Sequence, residues 1–300
     1  MAKQNKIKAK SNPASYIMMG PWLILFFVFT VLPVVASIIL SFTSFNMLQL
    51  PSFNGASNYI RLFLDDDIFL IALKNTLIFA LLTGPAGYIL GFVVAWGINE
   101  FNPRLRSLLT LAFYAPTLAG GAVYVIWLFI FSGDAYGLIN SQLLNAGMIT
   151  APIQFLTDPK YTMAMCIIVI MWMSMGAQFL TFRAGLQSQD REIYEAGAID
   201  GIRNRWQELW YLTLPQMRPQ LLLGAVFTIQ GSFSVGGVNA ALTGNPSTDY
   251  STHTIVLHIG DYAFTRFEMG YASAVSVVLF GMMLLFYFVV NKALAAWSTD

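Results

Sequence analysis

The chain has 300 residues, of which 57% are hydrophobic, 15% aromatic and only 10% charged, with a formal net charge of +1. Soluble domains carry about a quarter charged residues, so the composition excludes an ordinary water-soluble protein, and the near-neutral balance excludes a basic nucleic-acid surface. A single cysteine, Cys166, excludes an internal disulfide framework and a cysteine metal cluster.

Residues 1–15 form a short basic tail with Lys3, Lys6, Lys8 and Lys10. It resembles the start of a secretory leader, but the apolar run that follows, about 16–42, exceeds the roughly 7–15 residues of a leader core. The run is read as an uncleaved first membrane span, kinked at Pro33. A spanning helix needs about 20 mainly apolar residues, and five further windows qualify: about 72–98, 107–131, 161–186, 219–239 and 270–296. The predicted architecture is all-α, a single six-span domain over 16–300.

Between the first two spans, Asp65, Asp66 and Asp67 read as a solvated acidic loop. The second span carries Gly84, Gly87 and Gly91, small residues that permit close helix approach, beside Pro85, which predicts a kink or break. Pro116 predicts the same in the third span. In the fourth, Ser174, Gln178 and Thr181 recur at i, i+4 and i+7 and so share one helical face. Gln230 and Ser234 do so in the fifth span, with Asn239 near its outer end; Ser273 and Ser276 lie beside Tyr271 in the sixth. Polar groups at membrane depth are costly and face partners or water. The set is therefore a candidate lining for a hydroxylated solute, and helix–helix hydrogen bonding requires the same residue types. His253 and His258 are five apart, not the i, i+4 of a helical metal pair, and are placed in an outer loop without metal or acid–base function.

The segment between the fourth and fifth spans, about 187–218, is dense in charge. Asp190, Glu192 and Glu195 bias the start of a short helix, and Gly201 is positioned to end it in the left-handed conformation. Asn204 is a candidate N-cap for a second helix, with Trp206, Leu209, Trp210 and Leu214 at helical spacing, ending before Pro215. Two short helices at an angle make a protruding knob.

With the amino terminus inside, twelve Lys and Arg fall inside, and only Arg61, Lys74, Lys160 and Arg266 fall outside. This positive-inside bias places both termini and the knob in the cytoplasm. No phosphate-binding Gly-x-x-x-x-Gly-Lys-Ser/Thr occurs, so ATP hydrolysis is not expected of this chain. A polytopic membrane enzyme would need His, Asp or Glu clustered at membrane depth, which the sequence does not show. A secondary transporter or channel would have no use for the knob.

The knob carries a family resemblance. Glu195-Ala196-Gly197, Gly201 and Leu212-Thr213-Leu214-Pro215 resemble the cytoplasmic coupling motif of permease subunits of ABC importers. Tyr194 to Gly201 is similar to the carbohydrate branch, with Gly197 in place of the usual Ala and Ile202 in place of the Ala after the glycine. Leu242-Thr243-Gly244-Asn245-Pro246, Ser251-Thr252, Tyr262-Ala263-Phe264 and Met269 to Ala274 also resemble that branch. The resemblance implies a type I importer permease in the bacterial cytoplasmic (inner) membrane, with no cofactor of its own. Its partners would be a second permease, an ATPase dimer carrying ATP and Mg, and an extracytoplasmic binding protein that delivers sugar or oligosaccharide. Glu195, Ala196, Gly197, Asp200, Gly201, Leu214 and Pro215 would engage the ATPase, with Gly201 as hinge. Ser174, Gln178, Thr181, Gln230, Ser234, Asn239, Tyr271 and Ser273 would line the pathway. A permease for another solute, such as glycerol phosphate, is the alternative within the class. The glycine at 197 is expected to loosen the first knob helix by about 0.5–1 kcal/mol.

Overall fold

The computed structural model describes residues 13–296. Six helical stretches are long and apolar enough to cross a membrane: Tyr16–Leu40, Asp67–Asn99, Pro103–Ile130, Pro159–Gln187, Arg218–Thr243 and Met269–Ala293. Their starts follow from local chemistry. Asp66 accepts from the Phe69 N–H at 2.9 Å, Asn102 from the Leu105 N–H at 3.0 Å, and Asp158 from the Lys160 N–H at 2.9 Å. Each cap satisfies a backbone donor that the first helical turn leaves open. Pro103 and Pro159 follow directly, where their missing N–H costs nothing.

The second span is the centre of the molecule. In its carboxy-terminal half Phe92, Ala95 and Ile98 pack with Phe179, Phe182 and Leu186 of the fourth span and Leu221 of the fifth. In its amino-terminal half Phe69, Ala72 and Ala80 join Phe233, Tyr271, Val275 and Leu279 from the fifth and sixth. Gly87 allows this approach: a Cβ there would lie 3.2 Å from Ser174 Cβ. The first span stands apart. Its most apolar window buries nothing, and it meets the sixth span through Leu32–Leu40. Outside the spans, a two-residue strand pair (Thr43–Ser44 with Ser52–Phe53) and short helices Ser57–Leu64, Leu138–Asn145 and Ile255–Gly260 fill the outer connections.

Several expected interruptions lie elsewhere. The second span runs 33 residues straight through Pro85, which sits on the exposed side. The third runs through Pro116 to Ala119 and breaks at Gly120, whose φ of +54° favours glycine. The fourth stops at Met173 and resumes at Ala177, with Gly176 extended between. Ser174, Gln178 and Thr181 therefore do not share one continuous helical face. The fifth breaks after Phe233 and resumes at Gly237, so Ser234 terminates its helix. At Pro33 the helix is not severed: a wide turn, Phe27–Val31, precedes it, with the Leu32 N–H bonded to the Phe27 carbonyl. Opening the turn by one residue relieves the clash between a proline ring and the carbonyl four residues before it.

Candidate functional site

The segment 190–216 folds as two short helices at one end of the bundle. Asp190 caps the first, Arg191–Ile199, accepting from the Glu192 N–H at 3.0 Å. Gly201, at φ +96°, ends it, and the Ile202 N–H returns to the Gly197 carbonyl at 3.0 Å, a Schellman closure. Asn204 starts the second helix, accepting from the Gln207 N–H at 2.8 Å, while Gln207 reaches back to the Arg203 N–H at 2.9 Å. This helix does not end before Pro215. The wide-turn device of the first span recurs at Leu209–Thr213, with the Leu214 N–H on the Leu209 carbonyl, and the helix passes Pro215 to Gln216.

The glycine at 197 faces side chains of the knob. A Cβ there would meet Leu212 Cδ1 at 2.7 Å and Ile202 Cδ1 at 3.2 Å. The space a methyl would take is filled by the ends of Leu212 and Ile202, both half-buried side chains. Tyr194 Oη, bonded to Gln189 and to Thr213 Oγ1, ties the two helices together.

The knob is anchored to the membrane bundle by three contacts. Leu209 is buried in the cluster that holds Phe182 and Phe92. Trp206 lies against Trp96 with ring centroids 5.6 Å apart. Arg205 bridges Glu208 at 2.8 Å and also Glu100 at the end of the second span. A rigid-body push on the knob is therefore delivered to the second and fourth spans. Glu195, Ala196, Asp200, Gly201 and Pro215 lie exposed on the knob, Leu214 is half-buried and Gly197 buried. Apolar side chains project beside them: Ile199 is 87% exposed and Tyr211 71%. Such apolar exposure on a charged loop makes this face a candidate contact surface.

The polar residues of the spans divide into two groups. Gln178 is buried, accepting from Thr228 Oγ1 at 3.1 Å and reaching the Gly87 carbonyl at 3.4 Å. Asn239 is buried with its amide on the Thr252 carbonyl at 2.8 Å, Ser174 donates to Met171 O at 2.6 Å, and Ser273 is buried. Tyr271 donates to Asp66. Gln178, Asn239 and Tyr271 thus tie separate elements of the chain together, whereas Ser174, half-buried, bonds within its own helix. Gln230 and Ser234 are exposed, and Thr181 is half-buried, donating to Ala177 O.

Asp66 overturns the reading of 65–67 as a solvated loop. It is 8% exposed, and its Oδ2 accepts from Tyr271 Oη at 2.6 Å, Tyr262 Oη at 3.1 Å and His258 Nε2 at 3.1 Å. Burial pushes the carboxyl upward, but the Tyr271 hydrogen bond, the Phe69 N–H, His258 and Tyr262 together hold it below its ordinary value. Nor are the histidines in a free loop. Both are buried, with rings 5.7 Å apart. Burial, reinforced by the neighbouring His258, lowers His253 to about 4, and burial lowers His258 despite Asp66. Arg61 stacks over Tyr271 at 4.4 Å and pairs with Glu268 at 2.5 Å, sealing the cluster. Sequence reasoning missed it because three consecutive aspartates look alike until the fold buries one. The only local signal was His258 and Tyr262 at i, i+4.

A two-helix knob carried at one end of a six-span bundle narrows the families this chain can join. A family model described as the binding-protein-dependent transport system inner membrane component matches residues 87–297. The chain belongs to this family. The permease is 31% identical to the lactose transport system permease protein of Rhizobium radiobacter, over 92% of each chain. It is 29% identical to the arabinooligosaccharides transport system permease protein of Bacillus subtilis, over 89% of this chain and 83% of that one. Its fold matches a chain of a bacterial ABC transporter involved in the import of the acidic polysaccharide alginate, with TM-score 0.76, 22% identity and coverage of 94% and 95%. The same transporter has been seen in complex with an alginate pentasaccharide-bound periplasmic protein, again at TM-score 0.76. The permease is thus a multi-pass protein of the inner membrane with a transport role.

Proposed function

We propose that this permease is one membrane half of an ATP-driven importer that moves a sugar or oligosaccharide handed over by an extracytoplasmic binding protein. The observation that carries the reading is the knob, a capped two-helix element with exposed Ile199 and Tyr211, anchored through Leu209 and Arg205 to the spans. Uptake against a thousandfold gradient requires about 4 kcal/mol, and this energy would come from ATP and Mg on a partner ATPase dimer. Closure of that dimer would move Glu195 to Pro215 as a rigid body and rock the bundle between inward-facing and outward-facing states. A second permease would complete the pathway. Gln230, Ser234 and Thr181 supply the neutral donors and acceptors that suit hydroxyls, whereas Gln178, Asn239 and Tyr271 position the helices that carry them. The sugar class is supported by relatives named for lactose and arabinooligosaccharide transport.

The test is ATPase activity of the chain co-purified with the products of neighbouring genes, in lipid, with and without binding protein and a panel of neutral and acidic oligosaccharides. One ligand is expected to stimulate hydrolysis. Gly201→Asp places a charged side chain at φ +96° on the exposed turn and is expected to cut that stimulation at least about tenfold, with the chain still membrane-inserted. Full stimulation in the variant would refute the coupling role, and solute uptake by liposomes holding this chain alone would refute the ATP-driven reading.

A further inference from the structure

At the inner ends of the third and fourth spans lies a groove of about 550 Å³ whose lining includes Arg106, Arg183, Thr110, Leu111, Tyr114 and Leu180. No acidic residue lines it. Arg183 is only 6% exposed, and its guanidinium donates to neutral groups, Thr110 Oγ1 at 3.2 Å and Asn99 Oδ1 at 3.3 Å. Arg106 donates to the carbonyls of Asn99 at 2.6 Å and Phe101 at 2.9 Å, and its buried Nε has no partner. Among the described residues neither arginine pairs with a carboxylate. Two guanidinium groups thus meet at Asn99 with no carboxylate in the groove; Glu100 and Glu208, on the other cavity that Arg106 lines, are both bridged to Arg205. Burying a cation is costly unless an anion compensates it, so the groove is short of one negative charge.

Depth and lining say which anion. Arg106 is the fourth residue of its helix and Arg183 stands four before the end of its own, which puts both about 5 Å in from the helix ends at 1.5 Å per residue. The headgroup layer of a bilayer is about 5–7 Å thick on each side of the hydrocarbon. Further along the same groove toward mid-membrane, Leu111, Tyr114 and Leu180 replace the polar groups, and Leu111 and Leu180 are exposed. We infer that the groove binds one anionic glycerophospholipid of the cytoplasmic leaflet, its phosphodiester held by Arg106 and Arg183 and an acyl chain laid along Leu111 and Leu180. Basic pockets between span ends hold headgroups in this way. Arg106 also lines the cavity behind the knob, so the lipid would brace the wall shared with that element. The inference needs the membrane spans and their cytoplasmic side, not the sugar-import reading.

The test is native mass spectrometry of the full-length chain in mild detergent, titrated with phosphatidylglycerol, phosphatidylcholine or free sn-glycerol 3-phosphate. One phosphatidylglycerol should be retained more tightly than phosphatidylcholine. Arg106→Gln and Arg183→Gln should each weaken it about fivefold and together about thirtyfold, leaving phosphatidylcholine unaffected. Arg183→Lys should restore part of the loss, which separates lost charge from lost fold. Equal retention of the two lipids by the wild-type chain overturns the proposal without recourse to any variant. Retention of phosphatidylglycerol unaltered in the double variant overturns it too. Displacement of the lipid by free glycerol phosphate at equal concentration would overturn the lipid assignment in favour of a soluble phosphate.

Discussion

Asp66 shows how much one carboxylate can organise at the ends of the spans away from the knob. It joins the start of the second span to Tyr271 of the sixth and to His258 and Tyr262 between the fifth and sixth. The two histidines beside it are held neutral by burial, and this has a consequence for pH. His253 titrates at about 4 when folded against an ordinary 6.5, so an unfolded chain takes up its proton first as pH falls. Stability is full above about 6.5 and declines between there and about 4, by on the order of 2–3 kcal/mol for this one residue. Asp66, whose pKa is lowered, adds a further loss only below its ordinary value of 3.8. Thermal unfolding of the detergent-solubilised chain from pH 7.5 to 4.5 should show this decline, reduced in His253→Gln. A flat profile above pH 5 would mean that the histidines are solvated.

At the scale of the element, the knob is built from end-signals that act over three or four residues. Asp190, Gly201 and Asn204 do what their types and positions suggest, because a helix terminus is decided by the nearest backbone groups. Gly197 and Pro215 do not, because their effects depend on what packs against them. Replacing Gly197 with Ala would raise helix propensity yet push a methyl to 2.7 Å from Leu212 Cδ1. The atoms it meets are the ends of two half-buried side chains, Leu212 and Ile202, which can turn aside at small cost, so the helix gain of roughly 0.5–1 kcal/mol decides the sign. Gly197→Ala is therefore expected to stabilise the first knob helix modestly. Hydrogen exchange of the 191–216 amides reads this directly. Faster exchange in Gly197→Ala would show that Leu212 cannot yield.

For the whole molecule, the distribution of charge predicts a topology that chemical labelling can check. Leu48, 89% exposed, lies in the connection between the first two spans, and Ile199 lies on the knob. With Cys166 changed to Ala, a cysteine at 48 should react with a membrane-impermeant maleimide on intact spheroplasts, and one at 199 only after lysis. The opposite pattern would invert the positive-inside assignment. The same arrangement explains why one face of the molecule remains apolar. The first span buries nothing in its most apolar window, and the hydrocarbon of a bilayer is the environment its surface suits.

What the sequence determined by itself is the part governed by local and compositional physics. The apolar windows agree with the six spans to within a few residues, because 20 apolar residues can satisfy their backbone in lipid only as a helix. The capped knob and its family were legible from contiguous residues, since caps and a left-handed glycine act on their immediate neighbours. Only the tertiary structure decided the fate of the polar side chains. Gln178 and Gln230 are the same residue type at similar depth, yet one hydrogen-bonds to Thr228 and the other faces out. Asp65 and Asp66 are adjacent, yet one is exposed and the other collects four donors. Arg183 reads as one more inner-loop cation and is instead buried beside Arg106 at the end of a span. In each case the outcome depends on which helix lies opposite, a contact between residues 50 to 200 positions apart that no local spacing encodes.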